Sequence, residues 1–274
     1  MDRVAHLIFD VESVADGELV AAVKYPHESL SAEEAIRRFQ EELVEQSGKT
    51  FIPYTFQLPA AVIIAKVGVD LDLIDIVSLD EPQFRPHVIA DHFWRGWEAY
   101  GRPQWVTFNG RGFDIPLMEL AAFRYGLSLP AWFNLSGPSY KQCRNRYNVE
   151  SHLDLHEFLT NFNATWFRGG LDLAAQLVAK PGKLAVKGDQ VQAMYHSGEL
   201  QAIADYCRCD VLDTYFVFLR AMVLMGRIGR GRERELVAAA RDWLEQRRET
   251  NRGYADYLTH WNDWLDPWET GEQT

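Results

Sequence analysis

The chain has 274 residues, 47% of them hydrophobic and 24% charged, which is a globular composition long enough to bury a large core. A formal net charge of −11 weighs against holding nucleic acid by net charge alone, although carboxylates that bind divalent metals are neutralised once the metal arrives. Three cysteines, Cys143, Cys207 and Cys209, argue against a disulfide framework, and Cys207 and Cys209 lack the second pair of a sulfur-bound zinc site.

No window reaches the length of a membrane span, and the first apolar run closes on acids where a signal peptide would close on small residues, so a cytoplasmic protein is expected. Residues 4 to 12, through "HLIFDVE", read as a strand: a short apolar run without a breaker, ended by acids. The excursion from 13 to 58 carries one helix, "SAEEAIRRFQEELVEQSG", with Ser31 as N-cap and Glu34 at capping-box spacing. "AVIIAKVGV" (61 to 69) and "LIDIVSL" (73 to 79) are further strands joined by a turn around Asp70. A helix over 88 to 100 precedes the short strand "WVTFN" (105 to 109). "FDIPLMELAAFRYG" then starts as a loop, turns helical and stops at Gly126. Residues 127 to 150 are loop-rich, "LDLHEFL" and "LDLAAQLVA" are short helical pieces around Gly169 and Gly170, and "PGKLAVKGDQV" is a loop. Helices follow from Ser197 to Met225 and from Arg232 to Arg248, before an irregular, Trp-rich end. This order predicts a mixed sheet with helices on its faces. Its first three strands form an antiparallel meander, and the fourth returns parallel to the first.

Three segments carry acids in places that need a reason. Asp10 and Glu12 lie two apart on a strand and project from one face. Either the pair is half of a site for a hard divalent cation, which relieves their repulsion, or one acid faces solvent while the other caps a loop. In "FNGRGFDIP", Asn109 closes a strand, Gly110 and Gly112 allow a tight turn, and Asp114 stands at a helix entrance. Asp114 is an N-cap ahead of Pro116, or it faces a cleft, and the two readings are compatible. In "DYCRCDVLDTYFVFLR", Tyr206 and Asp210 share a helix face; a tyrosine packed under an acid is the plainer account, and Asp213 lies one turn beyond.

Taken together, Asp-x-Glu, Asn-x4-Asp and Tyr-x3-Asp in this order resemble the three motifs of the DEDD exonucleases, and the tyrosine points to the DEDDy branch. Where the sister branch has a histidine, five residues before the last aspartate, this chain has Asp205. "NGRGFDIP", "YCRCDVLDTY" and the upstream "PGKLAVKGDQVQAMYHSGELQAIADYC" are similar to the predicted 3′–5′ exonucleases related to the proofreading domain of family B DNA polymerases. The similarity is expected over residues 4 to 225, with the arginine-rich helix and the Trp-rich tail outside it.

The resemblance implies an α/β, RNase H-like mixed β-sheet flanked by α-helices over 1–225, followed by a C-terminal helical extension and tail over 226–274. It implies that Asp10, Glu12, Asp114 and Asp210 hold two Mg²⁺ or Mn²⁺ ions and that Tyr206 orients the attacking water. The substrate would be single-stranded DNA or RNA with a free 3′ end, and the products nucleoside 5′-monophosphates. Two rivals remain: a nucleic-acid-binding module of the same fold with little turnover, and a phosphodiesterase for short oligonucleotides, which the acidic surface suits. The intact set of five residues argues against the first, because clustered like charges have no evident use in an inactive relative.

Asn109, Phe113, Lys183 and Lys187 are the expected substrate contacts. Lys180, Lys183 and Lys187 sit in a loop that contacts phosphate or is merely solvated, and Phe113 and Trp132 stack on bases or belong to the core. His152 and His156 are four apart, but Leu153 stands where a zinc helix needs Glu, so they are structural or edge a cleft. Asp154 and Asp172 compete for metal or cap helices. Trp261, Trp264 and Trp268 have the spacing of a packing stripe. Arg220 to Arg252 holds nine arginines against five acids, and the remainder has five acids and no Lys or Arg. That basic segment tracks a substrate backbone, or it packs on the domain with a solvated outer face.

Overall fold

A computed structural model describes residues 4–182 and 190–269. Its centre is strand β1 (Val4–Ala15), whose run Leu7, Ile8 and Phe9 is buried on both faces, as a middle strand requires. β2 (Gln57–Gly68) pairs antiparallel with β1, and β3 (Leu73–Ser78) pairs antiparallel with β2. On the other side β4 (Gln104–Thr107) runs parallel to β1, and β5 (His152–Asp154) parallel to β4, giving the order β3-β2-β1-β4-β5. The expected meander and parallel return are both present. A mixed five-stranded sheet flanked by helices is the RNase H-like arrangement that was expected. β5 was not expected, because "LDLHEFL" read as helix throughout. Its first two residues, Leu153 and Asp154, join His152 in extending the sheet, and Asp154 then caps α5 (Leu155–Leu159) by accepting from the amides of His156 and Glu157. A three-residue strand is too short to show a period.

Helix α1 (Gly17–Lys24) was also not expected, whereas α2 (Ala32–Ser47) was, and its capping box between Ser31 and Glu34 forms. These two helices share a small apolar cluster of their own around Val20, Tyr25, Ile36 and Phe39. α3 (Pro86–Ala99) and α4 (Asp114–Tyr125) follow, with Gly126 ending α4 at φ +68°. Trp132 is buried against Trp94 and Trp97, with ring centroids 5.3 and 5.4 Å away, so it belongs to the core and not to a base-stacking surface. Next come α6 (Gly170–Leu177), α7 (Val191–His196), α8 (Leu200–Leu224), α9 (Arg230–Glu245) and α10 (Arg252–Thr259). α8 packs on β1 and β2 and is buried without a break from Tyr206 to Leu219.

The C-terminal helices complete the main core. Leu236, Ala240 and Leu244 of α9 and Tyr254 and Tyr257 of α10 lie in the same apolar cluster as the sheet. The arginine-rich segment packs on the domain and is largely neutralised by acids from the same region. Arg220 pairs with Glu233, Arg230 and Arg234 with Asp266, and Arg241 with Asp263, while Arg247 lies 4.0 Å over Trp243. Trp261 packs on Phe216 and Tyr257, Trp264 sits under Arg220, and Trp268 is largely exposed. Lys180 is buried, not solvated. Its Nζ donates to the carbonyls of Ala179 and Asn262 and stands 4.3 Å over Trp261, so it is not a phosphate contact.

Fully buried Asp213 accepts a 2.7 Å hydrogen bond from the Tyr257 hydroxyl, and burial pushes its carboxyl from 3.8 up to about 7. Burial pushes Lys180 down only to about 8, so that group is protonated in both states below neutrality. Between pH 4 and 7 the folded Asp213 therefore holds a proton that the unfolded chain has lost. Stability should fall as pH rises through that window, by up to ~1.4 kcal/mol per unit. Urea unfolding of Asp213→Asn should show a shallower decline from pH 5 to pH 7 than the native chain. Parallel curves would mean that Asp213 is ionised in the fold.

Candidate functional site

Strand alternation puts Asp10 and Glu12 on one face of β1, with buried Val11 between them on the other. Pairing with β2 fixes this part of the strand: Asp10 lies opposite Ile63 and Glu12 opposite Ala61, and a register shift follows immediately after Glu12. A carboxylate oxygen of each acid and the Cys207 sulfur all lie within 4.8 Å of one another. Cys207 reaches them from α8, its thiol donating to the Asp10 carbonyl at 3.4 Å and to Asp10 Oδ2 at 3.5 Å. Burial, then the charges of Asp10, Glu12 and Asp210, push this thiol well above its usual range, so it stays protonated and acts as a donor.

Asp114 arrives from the loop after β4. Asn109 there takes φ +67°, and a Cβ on Gly110 would stand 2.6 Å from the Thr107 side chain, so this turn needs glycine. Asp154 pins the same turn, accepting from the amides of Asn109 and Arg111, each at 2.9 Å. The N-cap of α4 is Phe113, which makes no side-chain cap bond, and Asp114 is the first residue of the helix. Its buried carboxyl accepts from the Val11 amide, between the two β1 acids. Burial, and then the charge of Asp10, hold it well above the ordinary carboxylate range. Of the two readings for Asp114, capping fails, since the N-cap is Phe113, and the carboxyl is buried beside β1 without lining the cavity.

α8 supplies the third side. Tyr206 and Asp210 are buried one turn apart. The Tyr206 hydroxyl is pushed far up, first by burial and then by Asp210, Glu12 and Asp10, which locates it among those acids. Asp10, Asp210 and exposed Asn109 line a cavity of about 480 Å³, together with Phe108, His156 and the segment Gly169 to Asp172. Asp213, one turn further, is held by Tyr257 and does not line it.

Asp10 and Glu12 thus stand together beside Cys207, Asp114 is within reach of the Asp10 charge, and Tyr206 is within reach of the charges of Asp210, Glu12 and Asp10. Of these five candidate residues only Asp10 and Asp210 line the cavity. The carboxylates of Asp10 and Glu12, close together and offering hard oxygen donors, fit a divalent cation such as Mg²⁺ or Mn²⁺, whose charge would offset their repulsion. Phe113 is half-buried, tilted against Phe51 at 5.7 Å, and is not among the cavity-lining residues. Lys183 and Lys187 lie outside the described residues. His152 is structural: it is fully buried, 2.8 Å from the Thr107 hydroxyl, and burial holds it well below its usual value. His156 edges the cavity, and Asp154 is spent on capping and on the 109–111 turn. Sequence reasoning missed Cys207, Phe108 and the Gly169–Gly170 wall. The glycine pair was visible as a backbone signal, but its neighbour across space was not.

The family described as predicted 3′–5′ exonuclease related to the exonuclease domain of PolB matches residues 49–268. That match starts after β1, leaving Asp10 and Glu12 outside it. It runs on through α9 and α10, past residue 225 where the similarity was expected to stop. No curated protein matches the chain. With most of its length matched, the chain belongs to this exonuclease family.

Proposed function

We propose that the protein is a divalent-metal-dependent 3′–5′ exonuclease that removes nucleoside 5′-monophosphates from single-stranded DNA or RNA. Family membership supports exonuclease chemistry. The observation that carries the finer reading is the convergence of Asp10, Glu12, Asp114, Asp210 and Tyr206. The four carboxylates would hold two Mg²⁺ or Mn²⁺ ions. When bound, such cations act as Lewis acids on the phosphate and lower the pKa of the attacking water.

The chain's own groups do the positioning. Cys207 fixes the Asp10 carboxylate through its thiol proton. Burial and the charge of Asp10 hold the Asp114 carboxyl well above its usual range, and a bound cation would favour its ionised form. Tyr206, kept protonated by burial and by three acids, donates its hydroxyl proton to orient the water and is no base. Asn109 on the cavity rim contacts the substrate, and Phe113, Lys183 and Lys187 are further contacts in this reading. No helix among the described residues is long and apolar enough to cross a membrane. With its free cysteines the enzyme belongs, in this reading, in the reducing cytoplasm.

A 5′-labelled single strand incubated with Mg²⁺ or Mn²⁺ should yield a ladder that shortens from the 3′ end. Chelation should stop it, and a blocked 3′ terminus should slow it. Immediate release of labelled mononucleotide would reverse the direction. Binding without cleavage in either metal would make the chain a nucleic-acid-binding module.

A further inference from the structure

The cavity wall continues outward into a rim whose side chains have no part in the chemistry described above. Phe167 stands edge-on to Phe108 at 5.9 Å and to His156 at 6.2 Å, and both of those residues line the cavity. Two residues on, Gly169 and Gly170 line it directly. The chain from 166 to 170 therefore backs the wall at Phe167 and forms it at Gly169 and Gly170. At Trp166 it leaves the wall, and that indole is 91% exposed. A single exposed aromatic needs no explanation by itself, but this one adjoins Phe167, which packs against the lining residues Phe108 and His156. Arg168 lies between the wall residues and is exposed. Most arginines in this acidic chain are paired with carboxylates, including Arg111, Arg124, Arg144 and Arg208. Arg168 has no carboxylate within 4.0 Å among the described residues, although acids line the cavity beside it.

A largely exposed indole two residues from an uncommitted guanidinium, itself next to Gly169 of an acid-lined cavity, matches one kind of ligand. Aromatic faces hold unpaired bases without regard to sequence, and Arg takes the phosphate between them. We propose that Trp166 and Arg168 form a second-nucleotide subsite: Trp166 stacks on the base 5′ to the scissile phosphate, and Arg168 holds the phosphate on that nucleotide's 5′ side. This rests on the exonuclease reading of the cavity. It makes the preferred ligand a single-stranded end of two or more nucleotides, since a paired base offers no free face for an indole at this lip.

Binding is measured by anisotropy with a labelled decanucleotide in EDTA, so that neither metal nor turnover contributes. Trp166→Ala should weaken binding about ten-fold or more, and Trp166→Phe should retain most of it. Arg168→Gln should reduce the slope of log Kd against log salt by about one phosphate contact. Hydrolysis of a nucleoside 5′-monophosphate p-nitrophenyl ester, which has no second nucleotide, should be unchanged in all three. Circular dichroism checks folding, which changes at exposed positions should leave intact. Unchanged decanucleotide affinity in Trp166→Ala overturns the subsite even if the native enzyme digests strands. Weakened affinity in a protein that hydrolyses nothing keeps the subsite and overturns the exonuclease reading.

Discussion

Asp10→Asn and Asp210→Asn should each abolish hydrolysis while leaving the chain folded. Asparagine keeps the size of the side chain and removes its charge. At Asp10 the charge is one that the structure opposes: it helps drive the Asp114 carboxyl upward and borders Glu12. Removing it relieves like-charge repulsion, so the metal-free variant should melt at or slightly above the native temperature. The same change deletes a hard donor. Calorimetric Mn²⁺ binding should weaken strongly, and the rate should fall by more than the ~10²–10³-fold of one lost transition-state hydrogen bond. Tyr206→Phe should fall in between, by about 10²-fold, with metal binding intact, because only the hydroxyl that positions water is lost. Asp213→Asn is the control. It stands one turn from Asp210 but faces Tyr257, and should keep hydrolysis close to native. Undiminished Mn²⁺ affinity and rate in Asp10→Asn would dismantle the site, and loss in Asp213→Asn with full activity in Asp210→Asn would move it one turn along α8.

The faces on which the candidate residues stand were legible because they rest on local rules, whereas their grouping came from the resemblance to the exonuclease motifs. Two residues of a strand suffice to put Asp10 and Glu12 on one face, and four residues of a helix suffice for Tyr206 and Asp210. The glycines around Asn109 announced a turn that the backbone confirms at φ +67°. What escaped has no local signature. Cys207 lies in a stretch of α8 buried on every side, where no apolar stripe marks which face meets β1. Lys180 read as solvated or on phosphate because its acceptor, the carbonyl of Asn262, is 82 residues away. For the basic segment from Arg220 to Arg252 a substrate contact stayed open beside the packed-helix reading because two of its acidic partners, Asp263 and Asp266, follow beyond it. The cavity wall at Phe108, His156 and Gly169 exists only because β5 and α6 bring those residues beside β4, and β5 is three residues long.

A chain ending at Met225 should fail to fold stably, although the sequence suggested a division there. α9 and α10 bury Leu236, Leu244, Tyr254 and Tyr257 against the sheet's own core. At ~1.5–3 kcal/mol for each large side chain buried, these contacts rival the ~5–15 kcal/mol that stabilises a whole domain. Truncation also strips partners from groups that remain inside. Asp213 loses the Tyr257 hydroxyl, Lys180 loses the Asn262 carbonyl, and Glu233 no longer neutralises Arg220. Each buried polar group left unsatisfied costs a further ~1–3 kcal/mol. Activity is exposed to the same loss, because the C-terminal segment grips α8 at Asp205, through Asn251, at Cys209, through the Gly253 carbonyl, and at Asp213. Those three positions bracket Tyr206 and Asp210. The 1–225 chain should therefore aggregate or melt without cooperativity, whereas Tyr257→Phe, which deletes one hydroxyl, should stay folded and lose about 1–3 kcal/mol in urea. A truncated chain that unfolds cooperatively near the native midpoint and still digests single strands would make residues 226–274 a separable extension and leave α8 able to hold Tyr206 and Asp210 unaided.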